Sequence, residues 1–152
     1  MPKSAFDPDQ FLNQEVNANF ESEYTPVPEG EFEAQVSKVD VSSYVAKSDE
    51  FEGQDRPILK LTWRINDPGV TEETGIEEPR VTQAIFLDYR DGVLEEGANK
   101  NIMLGRLIEL GNIKKDGFRL TDLEGVSCIV KVKHRMSDDN RPMAEVRDVT
   151  EI

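Results

Sequence analysis

Apolar and polar residues alternate with a period of two in four stretches of this chain and follow a helical period in one. From Glu31 to Val41, Phe32, Ala34 and Val36 share a face. The phase then slips by one residue, and Val39 and Val41 continue the apolar set, which predicts a strand with a β-bulge. Ile58 to Ile65 is the cleanest strand, with Leu59, Leu61, Trp63 and Ile65 on one side and Lys60, Thr62 and Arg64 on the other. Arg80 to Tyr89 predicts a third strand, placing Val81, Ile85, Leu87 and Tyr89 opposite Thr82, Ala84 and Phe86. Val126 to Met136 sets Cys128, Val130, Val132 and His134 against Ile129, Lys131, Lys133 and Arg135. The polar turn Ser137-Asp138-Asp139-Asn140 then predicts Pro142 to Val149 as its hairpin partner.

Between Asn99 and Leu110 the period changes. Met103, Leu104, Leu107, Ile108 and Leu110 fall at helical spacing, with Gly111 placed as the C-terminal cap. The remaining segments read as connections: Ser42 to Arg56, Asn66 to Pro79, the Asp91-Gly92 turn and a short link over Leu120–Leu123. The order is therefore strand, strand, strand, helix, strand, strand. Five short strands with one helix between the third and fourth match a mostly β, five-stranded OB-fold barrel. An immunoglobulin-like sandwich would need about seven strands and no such helix. The domain is expected over 29–152. Residues 1–28 read as an acidic, partly irregular N-terminal arm, in which Asp7 and Pro8 open a short helix as N-cap and first helical residue.

A length of 152 residues suits one domain. No apolar run is long enough to span a bilayer, and Met1-Pro2-Lys3-Ser4 opens without the apolar stretch of a signal peptide. The single cysteine, Cys128, leaves no internal disulfide and fits a reducing compartment. A cytoplasmic protein with no membrane partner is expected; a monomer and a homo-oligomer are both compatible with the sequence. Net charge is −13, which at face value opposes nucleic-acid binding. The distribution alters that picture: residues 1–55 hold 13 acidic and 3 basic side chains, whereas Lys100 to Arg147 holds 10 basic and 7 acidic.

Catalysis is poorly supported. The glycines are scattered, no nucleophile–base signature occurs, and one cysteine with one histidine, His134, makes no zinc site. The acidic pairs Glu72-Glu73, Glu77-Glu78 and Asp138-Asp139 would suit a divalent cation in a metal-dependent nuclease, but read more simply as solvated loop charge. No enzyme, cofactor or metal is expected. A binding surface is better supported, because single strands are held by cations tracking phosphates and flat side chains stacking bases. Lys131, Lys133 and Arg135 recur on one strand face, and Lys60 and Arg64 on another. Phe86, on the polar side of its strand, and Tyr44 and Phe51, in a polar loop, are the stacking candidates. Each cationic row also reads as the solvated side of a half-buried strand.

Four segments in order carry a family resemblance: Thr25-Pro26-Val27-Pro28-Glu29-Gly30-Glu31-Phe32-Glu33-Ala34, Ile58 to Ile65, Leu104 to Ile113, and Leu123-Glu124-Gly125 running into Val126 to Arg135. Over about residues 25–150 the chain resembles a family of phage-encoded OB-fold single-stranded DNA-binding proteins. The resemblance implies a sequence-tolerant single-stranded DNA binder acting in phage DNA replication or recombination, in the host cytoplasm. By analogy with acidic tails of replicative strand binders, the acidic arm would cover the basic groove or recruit replication or recombination proteins. The alternative is a non-enzymatic structural or protein-interaction module, such as a virion component or an acidic DNA mimic.

Overall fold

A computed structural model describes residues 6–17 and 25–152. Five strands close into a barrel: β1 (Gly30–Val45), β2 (Asp55–Ile65), β3 (Arg80–Phe86), β6 (Ser127–Met136) and β7 (Pro142–Thr150). Around the barrel the order is β1-β2-β3-β7-β6, with β6 returning to β1. All neighbours are antiparallel except β3 and β7, which run parallel and meet at Thr82 and Glu145. A two-stranded hairpin, β4 (Tyr89–Arg90) and β5 (Val93–Leu94), projects between β3 and the helix α3 (Ile102–Leu110). Among the described residues no helix is long and apolar enough to cross a membrane.

Alternation dictates the inside of the barrel. Leu59, Leu61, Trp63 and Ile65 of β2 point inward with Val81 and Ile85 of β3, Cys128, Val130 and Val132 of β6, and Val146 and Val149 of β7. Trp63 is fully buried, and its indole N–H donates to Gln83 Oε1 at 2.9 Å, so the one polar atom of Trp63 is satisfied within the core. The register of β1 against β2 shifts between Val36 and Lys38, where the alternation slips. This bulge lets one 16-residue strand pair with β6 through its first half and with β2 through its second. Helix α3 adds Leu104 and Leu107 to the core, and Arg106 pairs with Asp148 of β7. Gly111 caps α3 because space demands it: a Cβ there would lie 2.7 Å from Val126 Cγ2.

Several connections depart from the sequence reading. Strands β1 and β2 extend as a ribbon past the barrel, so Tyr44 and Arg56 are strand residues and only 46–54 form the loop. The ribbon is wet on much of its surface, Val41 included, and therefore shows no apolar alternation. The 66–79 connection holds a helix, α2 (Pro68–Thr74), with Asp67 as N-cap, Pro68 at its start and Gly75 closing it at φ 71°. The third strand ends at Phe86, and Tyr89 belongs to the hairpin, which turns at Asp91-Gly92 with both residues at positive φ.

The N-terminal segment carries the expected short helix, α1 (Pro8–Leu12), capped by Asp7. Residues 1–5 and 18–24 of the acidic arm lie outside the described residues. Before Gly30, Val27 is buried in the barrel core, and its carbonyl lies 2.7 Å from His134 Nε2. The backbone N–H of His134 donates to Glu29, which holds that carboxyl below its ordinary range. The barrel unit thus takes in residues ahead of the expected boundary. The 120–123 link is a single 3₁₀ turn.

Candidate nucleic-acid interface

The outward residues of β1, β2 and β3 form one continuous surface, because directly paired residues on neighbouring strands point to the same side. Asp40 faces Lys60, which faces Ala84; Ser42 faces Ile58, which faces Phe86; Tyr44 faces Arg56. Two stacking candidates meet here: the rings of Tyr44 and Phe86 lie edge to face with centroids 5.3 Å apart. Phe86 is 64% exposed, so a large flat apolar surface stands in solvent beside Ile58 and Lys60.

Arg64 closes the far end of this surface, donating to Gln35 Oε1 at 2.7 Å. Arg80 stands opposite it on β3, and Lys38 lies one strand over, opposite Thr62. Arg80 and Lys38 went unremarked in the sequence, although the alternation that singles out Lys60 and Arg64 marks them equally. Lys38 pairs with Asp40 and Arg80 with Glu78, both at exposed positions where such pairs are weak.

The second cationic row, on β6, divides. Lys131 stands between Glu31 of β1 and Asp148 of β7 in the register, with two acids as its strand neighbours, of which Asp148 also holds Arg106. Arg135 and Arg147 both pair with Glu145, at 3.4 and 2.6 Å. Arg135 and Arg147 line a groove with Ala84, Phe86 and Met103, where β3 and β7 run parallel. The structure therefore brings Arg135 to the same groove as Phe86. Lys133 faces Glu145 across β7, one strand from Thr82. Lys131 lies away from this groove, on the β1 side of β6.

Phe51 is held apart from the Tyr44–Phe86 pair by its own partners. The 46–54 loop is closed by hydrogen bonds from Ala46 N–H to the Gln54 carbonyl and from Gly53 N–H to the Ala46 carbonyl. Asp49, at φ 67°, accepts from the Phe51 N–H at 2.8 Å. The loop thereby sets the Phe51 ring under the Arg56 guanidinium, 3.8 Å from its carbon, with Arg90 5.1 Å from the same ring. Arg90 is itself bound by Glu50 and Glu95, which keep it firmly protonated and tie the hairpin to the loop. The Tyr89 ring centroid lies 5.9 Å from the Arg56 guanidinium carbon. Tyr89 is positioned by a reciprocal lock: Asp88 N–H donates to Asn101 Oδ1, and Asn101 N–H donates to Asp88 Oδ2.

Among the described residues no three His, Cys, Asp or Glu side chains converge on a possible metal site. Cys128 is buried in the barrel, where the apolar surroundings push its thiol up to about 11. Comparison with protein-family models finds no match to this chain, and comparison with curated proteins finds none.

Proposed function

We propose that this protein is an OB-fold, sequence-tolerant, non-enzymatic binder of single-stranded DNA, acting in phage DNA replication or recombination. The exposed Tyr44–Phe86 pair on a surface shared with Lys60, Arg64, Arg80 and Ile58 carries this reading. Flat rings beside cations are what a single strand requires, and every base offers a face to stack. The barrel order β1-β2-β3-β7-β6, its parallel β3–β7 closure and the helix between its third and fourth strands support the OB-fold reading. Lys60, Arg64, Lys133 and Arg135 track phosphates, Phe86 and Tyr44 stack bases, and Lys131 contributes least because of its acidic neighbours. The acidic arm recruits replication or recombination proteins.

Photo-crosslinking tests the assignment. Oligonucleotides carrying 5-iododeoxyuridine, irradiated with the protein and digested, are expected to mark peptides containing Tyr44 or Phe86. Crosslinks confined to other faces of the barrel would move the interface elsewhere.

One observation favours a second reading. Acidic partners oppose Lys131, Arg135 and Arg147, and net charge is −13. A structural or protein-interaction module, as in a virion component or an acidic DNA mimic, would use that negative surface and bind no DNA.

A further inference from the structure

We propose that Arg56 is an anchoring phosphate site, taking one backbone phosphodiester of the strand while the adjacent Tyr44–Phe86 pair stacks the adjoining base. The inference rests on the single-strand-binding reading and adds to it a fixed point on the surface.

Arg56 is the most buried cation among the described residues, at 8% exposure, yet its guanidinium makes no hydrogen bond or ion pair with any of them. Among the other arginines only the exposed Arg119 likewise shows no side-chain hydrogen bond or ion pair with a described residue. Arg80, Arg90, Arg106, Arg135, Arg141 and Arg147 each hold a carboxylate, and Arg64 holds the Gln35 amide. Although the chain has 31 acidic side chains, none among the described residues pairs with Arg56. Because no buried side-chain nitrogen among the described residues lacks a partner, the guanidinium N–H groups still reach solvent, and a bound phosphate would replace that water with a counter-charge.

The rings around Arg56 orient it. The Phe51 ring, 3.8 Å from the guanidinium carbon, covers one face of the guanidinium, with Tyr89 at 5.9 Å, and leaves its N–H edge as the available donor. That planar fork matches two oxygens of a phosphate, which a lysine cannot reproduce. Of the neighbouring acids, Glu50 and Glu95 are taken by Arg90, while Asp55 and Glu96 line the same pocket as Arg56 without forming an ion pair with it. Position completes the site: Arg56 stands directly opposite Tyr44 on the paired strand, so phosphate and stacked base are about one strand spacing, roughly 5 Å, apart. A contact to this buried residue is screened less than those of exposed Lys60 and Lys133, so its share of the affinity grows as salt rises.

The test uses the whole protein, labelled oligo-dT and two variants, with the Arg56 Nε–Hε resonance assigned by its loss in Arg56→Lys. Arg56→Gln is expected to weaken binding at least tenfold at physiological salt, and Arg56→Lys several-fold. In the wild-type protein, which is free of any folding defect, oligo-dT should shift the Arg56 resonance. Wild-type binding with an unmoved Arg56 resonance and unchanged Arg56→Lys affinity overturns the anchor and leaves the strand-binding reading standing. No binding by the wild-type protein defeats that reading and the anchor with it.

Discussion

Tyr44 and Phe86, 42 residues apart in the chain, meet at 89° with their ring centroids 5.3 Å apart on the outside of the barrel. Neither ring is needed to fill the core, since Phe86 is 64% exposed and Tyr44 36%. Phe86→Ala and Tyr44→Ala are therefore expected to separate function from folding. Each should weaken oligo-dT binding by about 1–3 kcal/mol, the usual worth of a stacked base. Thermal unfolding should change little, because only an edge-to-face contact of about 0.5–1.5 kcal/mol is lost. Paired binding and calorimetry measurements on the two variants check this.

The cations should differ by their neighbours. Lys60→Glu and Lys133→Glu should each lower the slope of log affinity against log salt by about 0.7, the value for one phosphate contact on a single strand. Lys131→Glu, set between Glu31 and Asp148, should change the slope least. Titrations at three or more salt concentrations discriminate the three variants.

Inside the barrel, Trp63 and Gln83 form a buried polar pair at 2.9 Å. Gln83→Leu would strand the indole N–H without a partner and is expected to cost about 1–3 kcal/mol of stability. Gly111→Ala would drive a methyl group to within 2.7 Å of Val126 Cγ2 and should cost about 1–3 kcal/mol through overpacking. Urea unfolding of both variants measures these losses, and single-strand affinity of the folded fraction should be retained.

Cys128 links stability to alkaline pH. Burial raises its thiol from the ordinary 9.0 to about 11, so the folded state holds the proton more tightly than the unfolded state. Stability from this source is complete below pH 9 and falls as pH rises from about 9 to 11. Cys128→Ala should flatten that part of the stability–pH curve, and the native thiol should resist alkylation at neutral pH.

The barrel was legible in the sequence because its core obeys a strict period. Leu59, Leu61, Trp63 and Ile65 could face only inward, and the phase slip after Val36 became the β1 bulge. What escaped detection lacks such a period or depends on register. The β1–β2 ribbon carries Tyr44 beyond the core, where both faces meet water and polar residues resemble a loop. Helix α2 sat in a polar segment whose cap, Asp67-Pro68, and terminator, Gly75, were visible but had only Val70 to bury. At the candidate site, residue type together with strand alternation marked Lys60, Arg64 and Phe86. The placing of Lys131 opposite Glu31 and Asp148, and of Arg56 near Phe51 and Tyr89, depends on contacts between distant segments.

The most direct measurement is a fluorescence-anisotropy titration of labelled oligo-dT with the wild-type protein, at low and physiological salt, with duplex DNA as competitor. Tight, salt-sensitive binding that duplex fails to displace is the predicted result. Absence of binding at either salt would contradict it and leave the acidic protein-interaction module as the account of this barrel.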